Sequence, residues 1–391
     1  GFLRRVQEGT WPAHILEHVT LELQNLAGMP GGFGKARETS ARGVYRVVVR
    51  AWHEDVTRAC LYAGRDLLLA AIRDTPFDVA STVTHLADMA ERKLLGPSTG
   101  CIVEAATAKD RRIPAIRLLA TGNLVQLGYG ARSRRIWTAE TDRTSAIAEG
   151  ISRDKDLTKT LISSCGVPVP EGRLVESVED ACEAADEIGF PVVVKPSDGN
   201  HARGVFTNLQ TRAEVESAYA AAVEEGSGVI VERYVRGSEH RLLIVGGKLA
   251  AAARGEVAKI VGDGQSTVSQ LIDSQINSDP RRGAAEEFVL DVIDLADNPV
   301  ARLEVSRQGF TPDSIPPAGR EVLIVRSGNH TDDVTDLVHP ETAATASLAA
   351  RIVGLDIAGV DLVCEDISRP LDEQRGAIVE VNAGPGLLMH L

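Results

Sequence analysis

Apolar positions along the chain follow two alternating rhythms, and the alternation predicts an α/β protein. Leu16, Val19, Leu23 and Leu26 fall at helical spacing behind Pro12, which predicts a helix over 13–27. The stretch 45–51 reads as a strand, 55–74 and 79–95 as helices, and 114–119 as a second short strand. From 128 to 152 the chain is polar and irregular, after which the pattern restarts. The division is therefore expected near residue 150, with one domain over 1–150 and a second over 151–391.

In the second domain, 154–164 reads as a helix ended by Gly166, with Pro168 and Pro170 beyond it. A second helix is expected over 178–188. Residues 191–195 form an apolar strand ending in Lys195, and strands are also expected at 229–234, 241–245, 361–364 and 378–381, with a helix at 343–353. Between 256 and 320 the chain turns polar and Pro-rich, which suggests an insertion or lid. No period of 20 to 50 residues repeats, which argues against solenoids and propellers.

Composition narrows the class. The 391 residues suggest two or three domains, and 43% hydrophobic with 25% charged residues is ordinary for a soluble globular chain. Forty-two Lys and Arg against 55 Asp and Glu give a net charge of −13, which speaks against nucleic acid or an anionic membrane as partner. No apolar run approaches the ~20 residues of a membrane span. Cys60, Cys101, Cys165, Cys182 and Cys364 are scattered without a Cys-x-x-Cys pair, which fits free thiols in a reducing compartment. The chain opens at Gly1 without an initiator Met and reads as a piece of something longer.

Several separated features point to nucleotide chemistry. Lys155 starts a helix, and Lys195 ends an apolar strand that runs into Pro-Ser-Asp-Gly-Asn-His-Ala-Arg-Gly-Val. Backbone N–H groups of such a loop can cradle phosphates, although its spacing is not that of a Walker loop. Val-Ile-Val-Glu-Arg-Tyr-Val-Arg-Gly-Ser-Glu presents Glu232 on a strand, a turn at Gly237 and Glu239 opening the next strand. This is either a hinge for an adenine edge and ribose hydroxyls or a hairpin with exposed acids. Glu380 and Asn382 share one strand face, and with Asp361 they offer hard oxygen ligands suited to Mg²⁺.

On the first helix, His14 and His18 are one turn apart with Glu17 beside them, matching His-x-x-Glu-His. Two imidazoles and a distant carboxylate, with Glu91 the candidate, would bind Zn²⁺ and leave a water for Glu17 to deprotonate. The alternative is a helix whose histidines cap a domain interface.

The order of these features from Lys155 to Asn382 resembles the ATP-grasp fold. The blocks His-Ile-Leu-Glu-His-Val-Thr-Leu-Glu-Leu-Gln, Gly-Phe-Gly-Lys-Ala-Arg-Glu-Thr, Leu-Gly-Pro-Ser-Thr, Ser-Arg-Asp-Lys, Val-Gly-Asp-Gly, Asn-Ser-Asp-Pro-Arg-Arg-Gly and Glu-Val-Asn-Ala-Gly-Pro-Gly are similar to the cyanophycin synthetase family, from about residue 9 to the end. The resemblance implies two α+β lobes gripping ATP, preceded by a smaller α/β N-terminal accessory domain. Family enzymes continue into a Mur-ligase-like domain, of whose nucleotide loop this chain shows no trace. The implied activity is an ATP- and Mg²⁺-dependent ligase that adds aspartate to the backbone C-terminus of cyanophycin, a poly-aspartate with arginine branches, through an acyl phosphate. A polymer primer, a cytoplasmic location and a homo-oligomer follow from the same resemblance.

By that resemblance Lys155 and Lys195 neutralise ATP phosphates, and the loop from Ser197 through Asn200 and His201 to Gly204 closes over them. Glu232, Val235 and Glu239 hold adenine and ribose; Asp361, Glu380 and Asn382 hold Mg²⁺. Arg326, Lys195 and Arg254 form the catalytic group, with Arg326 on the acyl phosphate or tetrahedral oxyanion. The chain departs from the family at Ala202, where a glycine is usual, and in a shorter stretch after Arg326. Three alternatives stand beside this reading: another ATP-grasp carboxylate–amine ligase of glutathione or D-alanine type, a degenerate polymer-binding homologue, or a zinc hydrolase.

Overall fold

The computed structural model describes residues 1–29, 32–197, 204–226, 228–255, 257–283, 288–326 and 330–391, apart from the side chains of residues 330 and 331. They divide into two compact units, one of residues 1–100 with 115–126, the other of 101–114 with 127–391.

The first unit is built on helices. Phe2–Glu8 (α1) and Pro12–Leu26 (α2) precede a hairpin of Gly34–Glu38 (β1) and Tyr45–Val49 (β2), followed by Glu54–Arg73 (α3) and Val79–Lys93 (α4). Pro12 takes the first helical turn of α2, where its missing N–H costs nothing. His53 and Asp78 cap α3 and α4 by accepting backbone N–H bonds from Asp55 and Ser81. Leu23, Met29, Val56, Cys60, Leu86 and Ala90 form the core among these helices. Pro97–Thr107 (α5), Ala115–Arg117 (β3), Leu124–Leu127 (β4), Arg134–Trp137 (β5) and Glu140–Thr141 (β6) follow along the chain.

The second unit contains two main sheets. Ala146–Arg153 (α6) and Lys155–Ser164 (α7) lead into Gly172–Val175 (β7), Val178–Ile188 (α8), Val192–Pro196 (β8), Phe206–Leu209 (β9), Arg212–Ala222 (α9) and Val229–Arg233 (β10). These strands form an antiparallel sheet in the order β7-β10-β8-β9, with α8 and α9 packed on it around Ala181, Val192, Val194, Phe206, Val215 and Val231. The chain then passes to another sheet through Ser238–Val245 (β11) and Lys248–Gly255 (β12).

An insertion follows: Ala258–Val261 (β13), Val268–Gln275 (α10), Arg282–Gly283 (β14), Leu290–Asp291 (β15), Pro299–Arg307 (α11) and Glu321–Val325 (β16). Its polar composition suggested a lid, yet it carries its own core of Ile260, Leu271, Ile272, Ile293, Leu295, Val305, Val322 and Ile324. The last elements are His330–Asp333 (β17), Pro340–Val353 (α12), Ile357–Cys364 (β18) and Ala377–Ala383 (β19). They complete a sheet ordered β17-β12-β11-β18-β19, covered by α12 through Ala346, Ala349, Ala350 and Val353.

The expected helices at 13–27, 55–74, 79–95, 154–164 and 178–188 all form within a residue or two of those bounds. The stretch 128–152, which read as irregular, contains β5, β6 and most of α6; these pieces are too short to show a periodicity. Among the described residues no helix is long and apolar enough to cross a membrane, and all five cysteines are free thiols.

Candidate functional site

The site of the second unit is assembled from one helix and strands of both sheets. Asp154 caps α7 by accepting from the Leu157 N–H at 3.0 Å, which fixes where the helix starts and hence where Lys155 stands. Lys155 and Lys159 lie one turn apart on one face; Lys155 is buried and the Lys159 side chain is 11% exposed. Lys155 lies in the first helical turn, where a cation opposes the helix dipole, so it is not there to stabilise the helix.

Lys195 comes from β8, whose five residues are all buried. Its backbone pairs with Ile230, while Val193 pairs with Glu232, so Lys195 and Glu232 are diagonal neighbours on one sheet face. Lys195 Nζ lies 2.7 Å from Glu232 Oε1, and Lys159 Nζ bonds Oε2 of the same carboxylate. Two ammonium groups from different elements thus share one buried glutamate.

The charges adjust accordingly. At Glu232, burial raises the pKa, but Lys159 and Lys195 outweigh it and bring the group down to about 2. At Lys159, burial dominates over the attraction of Glu232, and with the adjacent Lys195 it pushes the ammonium down. At Lys195, burial is outweighed by Glu232, with Glu380 adding to it, and its pKa rises.

Facing this cluster are β18 and β19. Asp361 pairs directly with Glu380 across the strands, and Asn382 is two residues further on the same face as Glu380. Asn382 Nδ2 donates to Asp361 Oδ2 at 3.1 Å, and Lys155 Nζ lies 3.6 Å from Glu380 Oε1. Asp361 also faces Arg241 on β11, which donates Nη2 to Oδ2 at 2.7 Å and Nε to Oδ1. The guanidinium loses solvation here, yet Asp361 more than compensates, and its pKa is raised.

The three oxygen donors expected to hold Mg²⁺ are therefore gathered on neighbouring strands, and their hard-oxygen chemistry fits that ion. Arg241 occupies the Asp361 carboxylate where a cation would bind. The chain crosses between the sheets at residues 234–237, with Val235 buried and Glu239 the second residue of β11. Gly237 has φ +121°, and a methyl there would sit 2.1 Å from the Cys364 carbonyl oxygen, so only glycine lets the crossing lie this close to β18.

Most site residues expected from sequence are thus brought together: Lys155, Lys195, Glu232, Asp361, Glu380 and Asn382. Ser197 donates its N–H to Gly228 O at 2.9 Å at the edge of the phosphate loop, and Gly204 stands at the other edge with φ +68°. Asn200, His201 and Ala202 lie outside the described residues, as does the stretch 327–329 after Arg326. Arg326 pairs with Glu304, and Arg254 forms a half-exposed cross-strand pair with Asp332 at 2.7 Å. Lys159 and Arg241 went unnoticed in the sequence; the four-residue spacing from Lys155 was the available signal for Lys159.

In the first unit, His14 Nε2 and His18 Nε2 are 3.2 Å apart, Thr10 Oγ1 holds His14 Nδ1 at 2.8 Å, and Phe2 stacks on His18. Glu17 is buried beneath β1, where a methyl at Gly34 would lie 2.8 Å from its Cγ. The contact between the two rings is a hydrogen bond, one ring nitrogen donating to the other. Glu91 is exposed on α4, and no three His, Cys, Asp or Glu side chains gather for a metal among the described residues. Among the described residues the donors are thus one short of a three-ligand zinc site.

Residues 1–73 match a cyanophycin synthase-like N-terminal domain, and residues 147–249 match an ATP-grasp domain. The whole chain aligns with the cyanophycin synthetase of a Nostoc species at 43% identity over 403 residues, covering 44% of that protein. It aligns with the Synechocystis enzyme of the same name at 42% over 405 residues, covering 45%. The chain thus spans less than half the length of these curated relatives. Among solved structures, a bifunctional glutathione synthetase from Pasteurella multocida superposes with a TM-score of 0.50 at 24% identity, covering 86% of this chain and 48% of that one. That likeness concerns the fold alone.

Proposed function

We propose, from the premise that this chain carries the N-terminal and ATP-grasp domains of the cyanophycin synthetase family, that it is an ATP-dependent ligase adding aspartate to the backbone C-terminus of cyanophycin. The observation that carries the reading is the convergence of three largely buried lysines with Glu232 on one side and the Asp361–Glu380–Asn382 set on the other.

A carboxylate does not acylate an amine at neutral pH, because oxide is a poor leaving group. Attack of the primer's terminal carboxylate on the γ-phosphorus of ATP releases ADP and gives an acyl phosphate. The aspartate amine then attacks that carbonyl, inorganic phosphate leaves with the C–O bond electrons, and the amine loses its proton. Lys155, Lys159 and Lys195 neutralise the triphosphate and hold the γ-phosphoryl in line, since positioning and charge stabilisation supply most of the rate in phosphoryl transfer. Glu232 holds two of those lysines in place before nucleotide arrives. Asp361, Glu380 and Asn382 would hold Mg²⁺, which would supply charge neutralisation for the transferring phosphoryl group. Arg326 stabilises the acyl phosphate or tetrahedral oxyanion, and Arg254 stands in the same catalytic group.

The domain division near residue 150 belongs to this proposal, as does zinc binding at His14 and His18 as a binding claim only. Assembly into a homo-oligomer and a cytoplasmic site of action rest on the family alone. The test is ADP release with ATP, Mg²⁺, a short cyanophycin primer and either aspartate or arginine. Turnover that needs both primer and aspartate supports the reading. Turnover with another amine donor points to a different carboxylate–amine ligase, and nucleotide or polymer binding without turnover points to a degenerate homologue.

A further inference from the structure

We propose that Glu304 and Arg307 are positioning residues that fix the guanidinium of Arg326 and tie it to the lobe carrying the phosphate loop. The proposal rests on the reading of Arg326 as the group that meets the acyl phosphate. Arg326 follows β16, and its guanidinium forms a two-point pair with Glu304, Nε to Oε2 at 3.1 Å and Nη2 to Oε1 at 2.8 Å. Such a pair engages one edge of a five-donor fork and stops its rotation, so the other edge is held in one orientation for an anion.

Glu304 lies on α11 in the insertion and is buried. A buried carboxylate is costly unless it is well paired, and its second partner is Arg307, Nη1 at 3.5 Å from Oε2. Arg307 reaches out of the insertion. Its Nε donates to Glu214 Oε1 at 2.8 Å, while Nη1 and Nη2 donate to the carbonyls of Thr207 and Asn208 at 3.1 and 3.2 Å. Thr207 and Asn208 belong to β9, the strand that follows the phosphate loop. Glu214 also accepts from the Gln210 and Thr211 N–H groups, closing the capping box of α9.

One continuous chain of charge-assisted bonds therefore runs from the lobe of β8, β9 and α9, through Arg307 and Glu304, to Arg326. Any displacement of that lobe would act on the guanidinium through these bonds. An apolar contact of similar volume would pack α11 on β9 without burying a carboxylate, but it would not orient a guanidinium.

The experiment compares E304Q, E304D, R326A and the double variant E304Q/R326A with the parent chain in the ADP-release assay, with folding checked by thermal melting. E304Q should lower kcat about 10- to 100-fold while the KM for ATP stays within about twofold, the size expected for misplacing a reacting group. E304D should restore part of the loss. The double variant should be no slower than R326A, because Glu304 acts through Arg326. A folded E304Q at parental kcat beside a crippled R326A would overturn the proposal. Parental turnover in R326A would instead remove the role of Arg326 itself. The mechanical link has its own readout in amide hydrogen exchange of R307A. Faster exchange in both 206–209 and 321–326 supports the coupling, and a response in only one or neither strand refutes it.

Discussion

Replacing Glu232 with Gln removes one negative charge from between two buried ammonium groups and leaves the volume nearly unchanged. The cost follows from the carboxylate's titration. Its pKa stands at about 2 against an ordinary 4.5, a displacement of about 2.5 units, or ~3 kcal/mol at ~1.4 kcal/mol per unit. The group is buried, so solvent screening takes little from that figure, which matches the ~3–5 kcal/mol typical of removing one partner of a buried ion pair. Because the folded-state pKa is depressed, this stability is fully present above about pH 4.5 and is lost as pH falls through about 2. Urea denaturation of the parent and E232Q should therefore differ by ~3 kcal/mol at pH 7 and by less than half of that at pH 3. E232Q should also gain stability as pH rises from 7 to 9. Its unpaired lysines titrate low in the folded state, so the unfolded chain binds more protons in that window. A difference below ~1 kcal/mol at pH 7, or one that stays constant down to pH 3, would refute the shared-carboxylate account.

K159M should leave the fold intact and weaken ATP binding about 10- to 100-fold by calorimetric titration, the loss expected for one charge-assisted phosphate contact. Unchanged affinity would place Lys159 outside the nucleotide site. R241Q strips Asp361 of its buried counter-charge and should lower the melting temperature, and Mg²⁺ without nucleotide should recover part of that loss while scarcely moving the parent. An equal Mg²⁺ effect on both proteins would show that Arg241 and the ion do not compete. G237A places a methyl against the Cys364 carbonyl at a positive φ and should cost ~2–4 kcal/mol, a fall of about 5 to 10 °C in Tm. A Tm within about 2 °C of the parent would mean that the sheet-to-sheet crossing is looser than described.

Much of the site was legible because its chemistry interrupts an apolar rhythm. Lys195 ends a run of valines, and Glu380 and Asn382 keep the period of a strand while supplying oxygen ligands. Lys159 was hidden because a lysine in an amphipathic helix reads as a solvated face; only its partner Glu232, seventy-three residues away, reveals burial. Arg241 was hidden likewise, since its partner Asp361 lies 120 residues on and meets it only through strand register. The insertion's fold escaped notice because its core is divided among elements of two to nine residues separated by prolines and acids. The α9 helix is rich in alanine and low in apolar contrast, although Thr211 and Glu214 announce its start by their capping-box spacing.

The central claim is that a primer carboxylate is activated by phosphoryl transfer at the lysine cluster and then captured by aspartate. The most direct test uses a primer whose terminal carboxylate carries ¹⁸O in both oxygens, with ATP, Mg²⁺ and aspartate, and mass analysis of the released phosphate. The account predicts one ¹⁸O in the phosphate released by the first addition to each primer, because the bond that breaks in the second step is the carbonyl carbon–oxygen bond of the acyl phosphate. Phosphate free of ¹⁸O from that first addition would contradict it.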